Sequence, residues 1–267
     1  MNASPRGPLP ADLRRYLATA RLGRRVYFYP ETDSTNDVAL DLARRGEAEG
    51  TIVVADHQRR GRGRRGRTWT SPPGNDLLVS VILRPGGDPR GALALTLVFA
   101  TAISVALSKL LGVDLGVKWP NDVVSPSGKI AGVLAESASA AGAVAHTVVG
   151  VGINVNSTAE QLPRDAPVPP ASCRTLTGVE WDRAAVLADV LGTVEAYYDR
   201  FRRDGFPPLR SAYEARLLQM DRAVAFDRDG TRETGRVLGV AADGALRVAR
   251  DRGGECELYT ETVEVLA

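Results

Sequence analysis

QRRGRGRRGR, residues 58–67, places six arginines and three glycines within ten residues, and this stretch decides which fold the rest of the chain supports. Glycines allow backbone turns and close approach, and guanidinium groups bind carboxylate or phosphate oxygens through paired hydrogen bonds. The stretch is therefore predicted to be a loop that folds over a polyphosphate and is ordered by its ligand. The same composition is typical of a solvated or RNA-binding arginine-rich loop, so this alternative stays open.

The standard nucleotide-binding loops do not match this stretch. A Walker loop ends in Gly-Lys-Ser or Gly-Lys-Thr, and a dinucleotide fingerprint opens a helix. Here residues 51–55 are β-branched and apolar and predict a strand that runs into the loop, and no helical period follows. Both common nucleotide folds are thus disfavoured.

Composition restricts the kind of partner. The chain has 267 residues, of which 44% are hydrophobic, enough for one substantial core and a small second domain. The formal net charge is +2, although the loop alone contributes six positive charges, so the remainder is net acidic. A nucleic-acid coat requires basic charge spread over a whole face. Local basic charge favours a small anionic ligand instead.

Cysteine and hydropathy patterns predict a cytoplasmic protein. The two cysteines, Cys173 and Cys256, form no paired pattern and have no histidine at a ligand spacing. Neither a disulfide framework nor a zinc site is indicated. No stretch approaches the roughly 18 apolar residues of a membrane span, so no membrane association is expected.

Hydrophobic periodicity predicts a core sheet flanked by helices. Strands are predicted at residues 26–29, 51–55, 77–83, 116–118, 129–136 and 146–154. Helices are predicted at residues 12–19, between residues 35 and 46, and at residues 91–111, 181–203 and 209–218. Residues 1–10 are predicted to be a disordered tail, and 163–170, with four prolines, a surface loop.

The hydrophobic pattern of the sequence changes after residue 222. Short alternating runs at 224–226, 235–240, 245–248 and 257–259, separated by Asp-Gly and Gly-Gly turns, predict a small antiparallel β-barrel. We therefore predict two domains, residues 1–220 and 221–267. Ahead of the first strand there is room for one short helix and not for a helix-turn-helix unit, so no specific DNA binding is expected.

Five segments resemble the biotin protein ligases, in the same order along the chain. They are Asp33-Ser34-Thr35-Asn36, then Gly61-Arg62-Gly63-Arg64-Arg65-Gly66-Arg67 followed by Trp69, then Lys118-Trp119-Pro120-Asn121-Asp122, then Lys129-Ile130-Ala131-Gly132-Val133-Leu134-Ala135-Glu136, and finally Gly150-Val151-Gly152-Ile153-Asn154-Val155-Asn156. The match covers most of residues 27–156. The chain resembles the monofunctional type, which has no N-terminal DNA-binding domain.

The resemblance implies both fold and activity. The fold is α+β: a mixed sheet flanked by helices, like class II synthetase catalytic domains, with a small C-terminal SH3-like β-barrel. The activity is activation of biotin with ATP to biotinyl-5'-AMP, followed by transfer to a lysine ε-amine. The implied partner is the biotin carboxyl carrier domain of an acyl-CoA or pyruvate carboxylase. Mg²⁺ is expected with ATP, its protein ligands stay unassigned, and the enzyme is expected to be a monomer or a homodimer.

Biotin presents a ureido ring that needs hydrogen-bond donors and acceptors, an apolar chain and a carboxylate. The residues that the resemblance assigns to biotin are Ser34, Thr35, Asn36, Gln58, Gly61, Arg62, Gly132, Gly150 and Gly152. From residue types alone, Ser34 or Thr35 is equally suited to cap a helix, and glycines within strands are equally suited to a bulge.

Adenylation brings a carboxylate against the α-phosphate, so preorganised cations are required. The catalytic residues that the resemblance implies are Lys129, Arg64, Asp122 and Lys118. Lys129 is expected to contact both carboxylate and phosphate, and Asp122 to orient or deprotonate the acceptor lysine, whose ordinary pKa is about 10.4. The alternatives are a surface charge for either lysine and a turn-forming role for Asp122.

Nucleotide binding is assigned to a partly overlapping set. These residues are Arg64, Arg67, Trp69, Lys118, Asn121, Lys129 and Asn154. Trp69 is expected to stack on the adenine or to cover the pocket. Arg59, Arg60 and Arg65 are possible solvated spectators, and both histidines, His57 and His146, are expected to be structural.

Three other functions compete with biotin ligation. A lipoate or octanoate ligase is the nearest, and the arginine loop and residues 118–122 look more like the biotin ligases. A nonenzymatic RNA-binding module is disfavoured by the acidic remainder of the chain and by the missing aromatic stacking motifs. A bifunctional ligase and repressor is disfavoured by the short N-terminus.

Overall fold

Seven strands form a mixed sheet in the protein, whose computed structural model describes residues 9–86, 91–140, 143–166 and 168–266. The strands are β1 (Val26–Thr32), β2 (Ile52–Gln58), β3 (Leu77–Leu83), β4 (Gly116–Lys118), β5 (Asp122–Ser125), β6 (Gly128–Ala140) and β7 (Ala143–Ile153). They lie in the order β1-β2-β3-β7-β6-β5-β4. β1 and β2 are parallel, and the other neighbours are antiparallel. The predicted mixed sheet is confirmed, with β5 as a strand that was not predicted.

Helices cover both faces of this sheet. They are α1 (Leu9–Tyr16), α2 (Thr35–Arg44), α3 (Gly91–Leu111), α4 (Cys173–Thr177), α5 (Arg183–Asp204) and α6 (Pro207–Glu214). On one face α2 packs Ala39 and Ala43 on Val53, Ile82 and Val148, while α3 and α5 pack on the other. Alternate residues of each strand thus enter two apolar layers.

The start of the chain differs from the prediction. α1 begins at Leu9, earlier than expected, and ends at Tyr16, so residues 9 and 10 are helical. Residues 1–8 of the predicted tail lie outside the described residues.

α3 corrects the prediction that no stretch is long and apolar enough to cross a membrane. It has 21 residues, its most apolar 18-residue window has a mean hydropathy of 2.0, and it meets that test by length and composition. However, 72% of its most apolar stretch is buried inside the protein, where it packs on α5 and β6. The core helix of a globular protein passes the same test, so this helix is weak evidence for a membrane span.

A second, antiparallel sheet follows α6. Its strands are β8 (Ala223–Arg228), β9 (Thr231–Val240), β10 (Leu246–Arg250), β11 (Glu255–Leu258) and β12 (Val263–Val265), in the order β11-β10-β9-β8-β12. Asp229 and Gly230 both have positive φ and connect β8 to β9 in the tight turn that Asp-Gly favours. The sheet agrees with the predicted SH3-like barrel, and the domain division at residue 220 stays a prediction.

Asp76 directly precedes β3. Its side chain joins the residues that follow β7 to Ser71, which follows the arginine loop. Its side chain accepts hydrogen bonds from the backbone N–H groups of Val155, Asn156 and Ser157, at 2.8, 3.3 and 3.2 Å. The hydroxyls of Ser71 and Ser157 each donate to it at 2.6 Å. This residue is 1% exposed, so its removal leaves buried donors without a partner.

We expect Asp76→Ala to lower the free energy of unfolding by about 3 kcal/mol or more, because several buried donors lose a charged acceptor together. Urea denaturation followed by circular dichroism measures this change. Asp114→Ala is the matched control, since the Asp114 side chain is 99% exposed. A loss no larger than that of the control would contradict the role of Asp76.

Candidate active site

A cavity of about 860 Å³ opens between the two sheets. It is bounded by the start of α2, the end of β2, the arginine loop, the facing strands β6 and β7, and a segment of the second sheet. Of the predicted site residues, sixteen line it: Ser34, Thr35, Asn36, Gln58, Arg62, Arg64, Arg67, Trp69, Lys118, Asn121, Asp122, Lys129, Gly132, Gly150, Gly152 and Asn154. The structure therefore brings together residues that lie more than a hundred positions apart.

Gly61 is the predicted residue that does not line the cavity. A Cβ atom at this position would lie less than 3.0 Å from the Trp69 carbonyl oxygen and the Gln58 amide nitrogen. The Gly61 carbonyl also accepts a hydrogen bond from the Trp69 N–H at 3.0 Å. Gly61 thus closes the base of the loop, where a side chain does not fit.

The arginine loop folds back on itself. Arg62 and Thr68 form an antiparallel bridge, and the Gly63 N–H donates to the Arg67 carbonyl at 2.7 Å. At the tip, residues 64–66 form a short 3₁₀ turn in which Arg65 has a φ of 58°. These hydrogen bonds define the path of the loop, and its ordering by a ligand stays a prediction.

The loop arginines fall into two groups. Arg59 and Arg60 pair with Asp33, remain exposed and do not line the cavity, as expected for spectators. Arg65 does line the cavity and contacts the Thr260 carbonyl, so its expected role as a solvated spectator does not fit the structure. Arg64 reaches the neighbouring Tyr259 carbonyl at 3.4 Å.

One end of the cavity is a neutral polar network at the start of α2. Ser34 occupies the N-cap position, but its side chain makes no capping hydrogen bond. Gln58 supplies the cap instead, because its Oε1 accepts from the Thr35 N–H at 2.7 Å and from the Thr35 hydroxyl at 2.9 Å. The Ser80 hydroxyl, which was not predicted, lies 2.6 Å from Asn36 Oδ1. The capping alternative is thus excluded for the Ser34 side chain.

Glu136 is a second polar residue that was not assigned a role. Its Oε2 accepts from Asn36 Nδ2 at 2.6 Å and from Arg62 Nη2 at 2.9 Å. Arg62 also pairs with Asp37 at 2.7 Å. Two carboxylates therefore hold the Arg62 guanidinium beside the neutral end of the cavity.

The other end of the cavity is cationic. Lys129 Nζ lies 2.7 Å from Asp122 Oδ1 and 5.4 Å from the centre of a Trp69 ring. Burial, together with the neighbouring Arg65, lowers the pKa of Arg64, and Asp122 opposes this shift. Lys118, the partner of Asp122 across β4 and β5, also lines this end. Lys129, Arg64 and Lys118 therefore all line the cavity with cationic groups.

Glycines of β6 and β7 give Trp69 a flat surface. Gly132 and Gly152 are direct partners across the two strands. A Cβ atom at Gly152 would lie less than 3.0 Å from the Trp69 indole, and one at Gly132 would lie 3.0 Å from it. Trp69 therefore covers the glycine pair in this structure, which favours a pocket wall over a plain core position.

Comparison with known proteins shows which family this chain belongs to. The Biotin/lipoate A/B protein ligase family matches residues 28–154. A biotin–[acetyl-CoA-carboxylase] ligase of Paracoccus denitrificans is 36% identical over 222 residues, covering 80% of this chain and 90% of that protein. The chain belongs to the biotin protein ligase family. This membership confirms the resemblance that the five segments carry.

Two further relatives extend the similarity over nearly the whole chain. The bifunctional ligase/repressor BirA of Bacillus subtilis is 31% identical over 256 residues, covering 96% of this chain and 78% of that protein. The structure of the biotin protein ligase from Aquifex aeolicus in complex with biotin and ATP superimposes with a TM-score of 0.76 at 28% identity. It covers 91% of this chain and 100% of that one, so the similarity includes both sheets. The predicted fold class is confirmed.

Two segments that the sequence did not assign to the site also border the cavity. The proline-rich segment, predicted as a surface loop, pairs with β6: the Lys129 N–H donates to the Pro169 carbonyl at 2.7 Å. Residues 260–264 of the second sheet line the opposite wall. Neither histidine lines the cavity, and burial lowers the pKa of His146.

Gly150→Ala is expected to raise the KM for biotin at least tenfold, because its Cβ would lie less than 3.0 Å from the Asn36 carboxamide, which Ser80 and Glu136 hold in place. Steady-state kinetics with varied biotin measure the effect. Gly192→Ala in α5 is the control, since a Cβ there meets nothing within 4 Å. Equal KM values in the two variants would mean that Asn36 does not shape the biotin site.

Proposed function

We propose that this chain activates biotin with ATP and then attaches it to a lysine of a biotin carboxyl carrier domain. The observation that carries the proposal is one cavity with a neutral polar end and a cationic end, in a member of the biotin protein ligase family. The neutral end suits an uncharged ureido ring. The cationic end suits a carboxylate that reacts with a phosphate.

The neutral end is proposed to bind biotin. Ser34, Thr35 and Gln58 offer hydroxyl and amide groups to the ureido ring, and Asn36 with Arg62 borders them. Gly132, Gly150 and Gly152 carry no side chain, so Trp69 and Asn36 lie directly against β6 and β7 and form walls of the cavity here. Gly61 is proposed to support biotin binding by closing the base of the arginine loop and not by touching biotin.

The cationic end is proposed to stabilise adenylation. An oxygen of the biotin carboxylate attacks the α-phosphorus, the bond to the β-phosphate breaks, and pyrophosphate leaves. No proton has to be removed, so the barrier is dominated by repulsion between anions. Lys129, Arg64 and Lys118 are placed to offset this repulsion. Arg67, Asn121, Asn154 and Trp69 are proposed to hold the nucleotide at the same end.

Transfer is proposed to depend on Asp122. The amine of the acceptor lysine attacks the acyl carbon of biotinyl-5'-AMP, the bond to AMP breaks, and the amine loses a proton. Asp122 lies beside Lys129 with its side chain 14% exposed, within reach of a lysine that enters the cavity. A carboxylate there can orient the amine and accept its proton.

Magnesium is expected to accompany ATP as a substrate complex. Among the described residues no group of three His, Cys, Asp or Glu side chains is suited to hold a metal ion. Magnesium commonly keeps several waters and binds through substrate phosphates with one or two carboxylates. Triphosphate oxygens are therefore proposed as its main ligands, and the carboxylates that line the cavity are those of Asp122, Asp165, Glu261 and Glu264.

The remaining partners and the location belong to the same proposal. The acceptor is a carrier domain of an acyl-CoA or pyruvate carboxylase, in the cytoplasm, where two buried free cysteines stay reduced. RNA binding is disfavoured because Arg59, Arg60 and Arg62 are neutralised by Asp33, Asp37 and Glu136. No specific DNA binding and no membrane association are proposed.

The test is the mass of an apo carrier domain incubated with the protein, biotin and Mg-ATP. The proposal predicts an increase by one biotinyl group, which requires both biotin and ATP. Attachment of lipoate or octanoate in place of biotin would move the protein to the other branch of its family. Substitution of the carrier's acceptor lysine by arginine is the matched control and should abolish the increase.

A further inference from the structure

Trp119 sits within the segment that carries three residues of the proposed reaction. Lys118 precedes it, and Asn121 and Asp122 follow it. Its side chain is buried, and the indole Nε1–H donates to the Gly244 carbonyl at 3.1 Å. Gly244 belongs to the turn between β9 and β10 and is wedged against α3, since a Cβ there would lie less than 3.0 Å from Leu97. The second sheet thus holds the segment through the indole.

Gln219 holds the backbone of the same residue. Its Oε1 accepts from the Trp119 N–H at 2.7 Å, and the side chain is 0% exposed. Its Nε2 has no hydrogen-bond partner among the described residues, so burial of this amide is costly. An apolar side chain of the same length would avoid that cost. The hydrogen bond that Gln219 Oε1 accepts from the Trp119 N–H is the interaction that accounts for a glutamine here.

The connection between α6 and β8 reinforces these two contacts. The Val117 N–H donates to the Arg216 carbonyl at 2.7 Å, and the Leu218 N–H donates to the Val117 carbonyl at 3.0 Å. Residues 216–218 therefore extend the first sheet beside β4. This pairing places Gln219 next to Trp119. A shift of this connection would move Lys118 with it.

We propose that Gln219 and Trp119 are positioning residues through which the second sheet sets the affinity for ATP. The inference rests on the proposed function. The two hydrogen bonds fix the backbone and the side chain of Trp119 and, through them, the direction of Lys118, Asn121 and Asp122. The neutral end of the cavity is built by α2, β2, β6 and β7, and neither of these two hydrogen bonds involves its residues. Their loss weakens ATP binding and leaves biotin binding unchanged.

The experiment measures KM values for ATP and for biotin in pyrophosphate exchange by Gln219→Met and Trp119→Phe. Methionine keeps the length of glutamine without the acceptor, and phenylalanine keeps an aromatic ring without the N–H. Each variant is expected to raise the KM for ATP about tenfold, the worth of one hydrogen bond, with the KM for biotin within twofold of wild type. Gln219→Glu is expected to restore the KM for ATP, because a carboxyl oxygen accepts from Trp119 in either protonation state.

Trp181→Phe is the matched control. It also loses an indole hydrogen bond, from Nε1 to Thr177 Oγ1 at 2.9 Å, at a site away from the cavity. Trp119 lines the cavity and Gln219 does not, so Gln219→Met changes the KM for ATP through the residues that it contacts and not by touching the nucleotide. An unchanged KM for ATP, or equal rises in both KM values, would overturn the inference. If Gln219→Met does not fold, an unchanged KM for ATP in Trp119→Phe still overturns the inference, and a wild type without biotin-dependent exchange refutes the proposed function instead.

Discussion

Lys129→Ala is expected to lower the rate of biotin-dependent ATP–pyrophosphate exchange about a thousandfold. At an effective dielectric constant near 20, one cation about 4 Å from an anion contributes on the order of 4 kcal/mol, which corresponds to roughly three powers of ten in rate. Lys129 is placed for this because its ammonium group lies in the cationic end, beside Asp122 and Trp69. Initial rates of exchange at saturating ATP and biotin measure the effect.

The sequence supplies a matched control for this variant. It contains three lysines, and Lys109, at the exposed end of α3, is the one outside the cavity. Lys109→Ala is expected to exchange at the wild-type rate. A folded Lys129→Ala protein that retains more than a tenth of the wild-type rate would mean that other cations carry the adenylation step.

Asp122→Asn is expected to slow transfer to the carrier domain by about a hundredfold or more, the usual contribution of a general base. Asparagine keeps the shape of the side chain but accepts no proton. Pyrophosphate exchange should fall far less, because adenylation removes no proton. Single-turnover transfer from preformed biotinyl-5'-AMP, measured beside exchange, separates the two steps.

The same variant distinguishes two roles of Asp122. If its main task is to hold Lys129 at 2.7 Å, exchange and transfer should fall together. If it acts on the acceptor amine, transfer falls alone, and its rate rises with pH as free lysine is formed. Asp189→Asn, exposed on α5, controls for the loss of a carboxylate. Equal losses in both steps would contradict the proposed role in transfer.

Local sequence patterns predict much of this fold. β3 and α3 are mostly apolar and mostly buried, and the alternation along β9 matches the burial of its side chains. Glycines within predicted strands indicate close approach, and Gly150 and Gly152 lie against Asn36 and Trp69 as that pattern requires. These features depend on residues that are close together in the sequence, so the sequence shows them directly.

Other features depend on contacts between distant segments. β5 is a strand because β4 and β6 pair with it on both sides, and its four residues have no period of their own. Gln58 caps α2 from the end of another strand, so the helix start alone suggested Ser34. The pairing of the proline-rich segment with Lys129 and the reach of Arg65 to Thr260 likewise join distant residues.

The most direct measurement is ATP–pyrophosphate exchange by the wild-type protein with magnesium and, in turn, biotin, lipoate and octanoate as the acid. A cavity with one neutral polar end and one cationic end, in this family, predicts exchange that depends on biotin and is absent with the other two acids. Exchange with lipoate or octanoate and not with biotin, or no exchange with any of the three in a folded sample, would contradict the account.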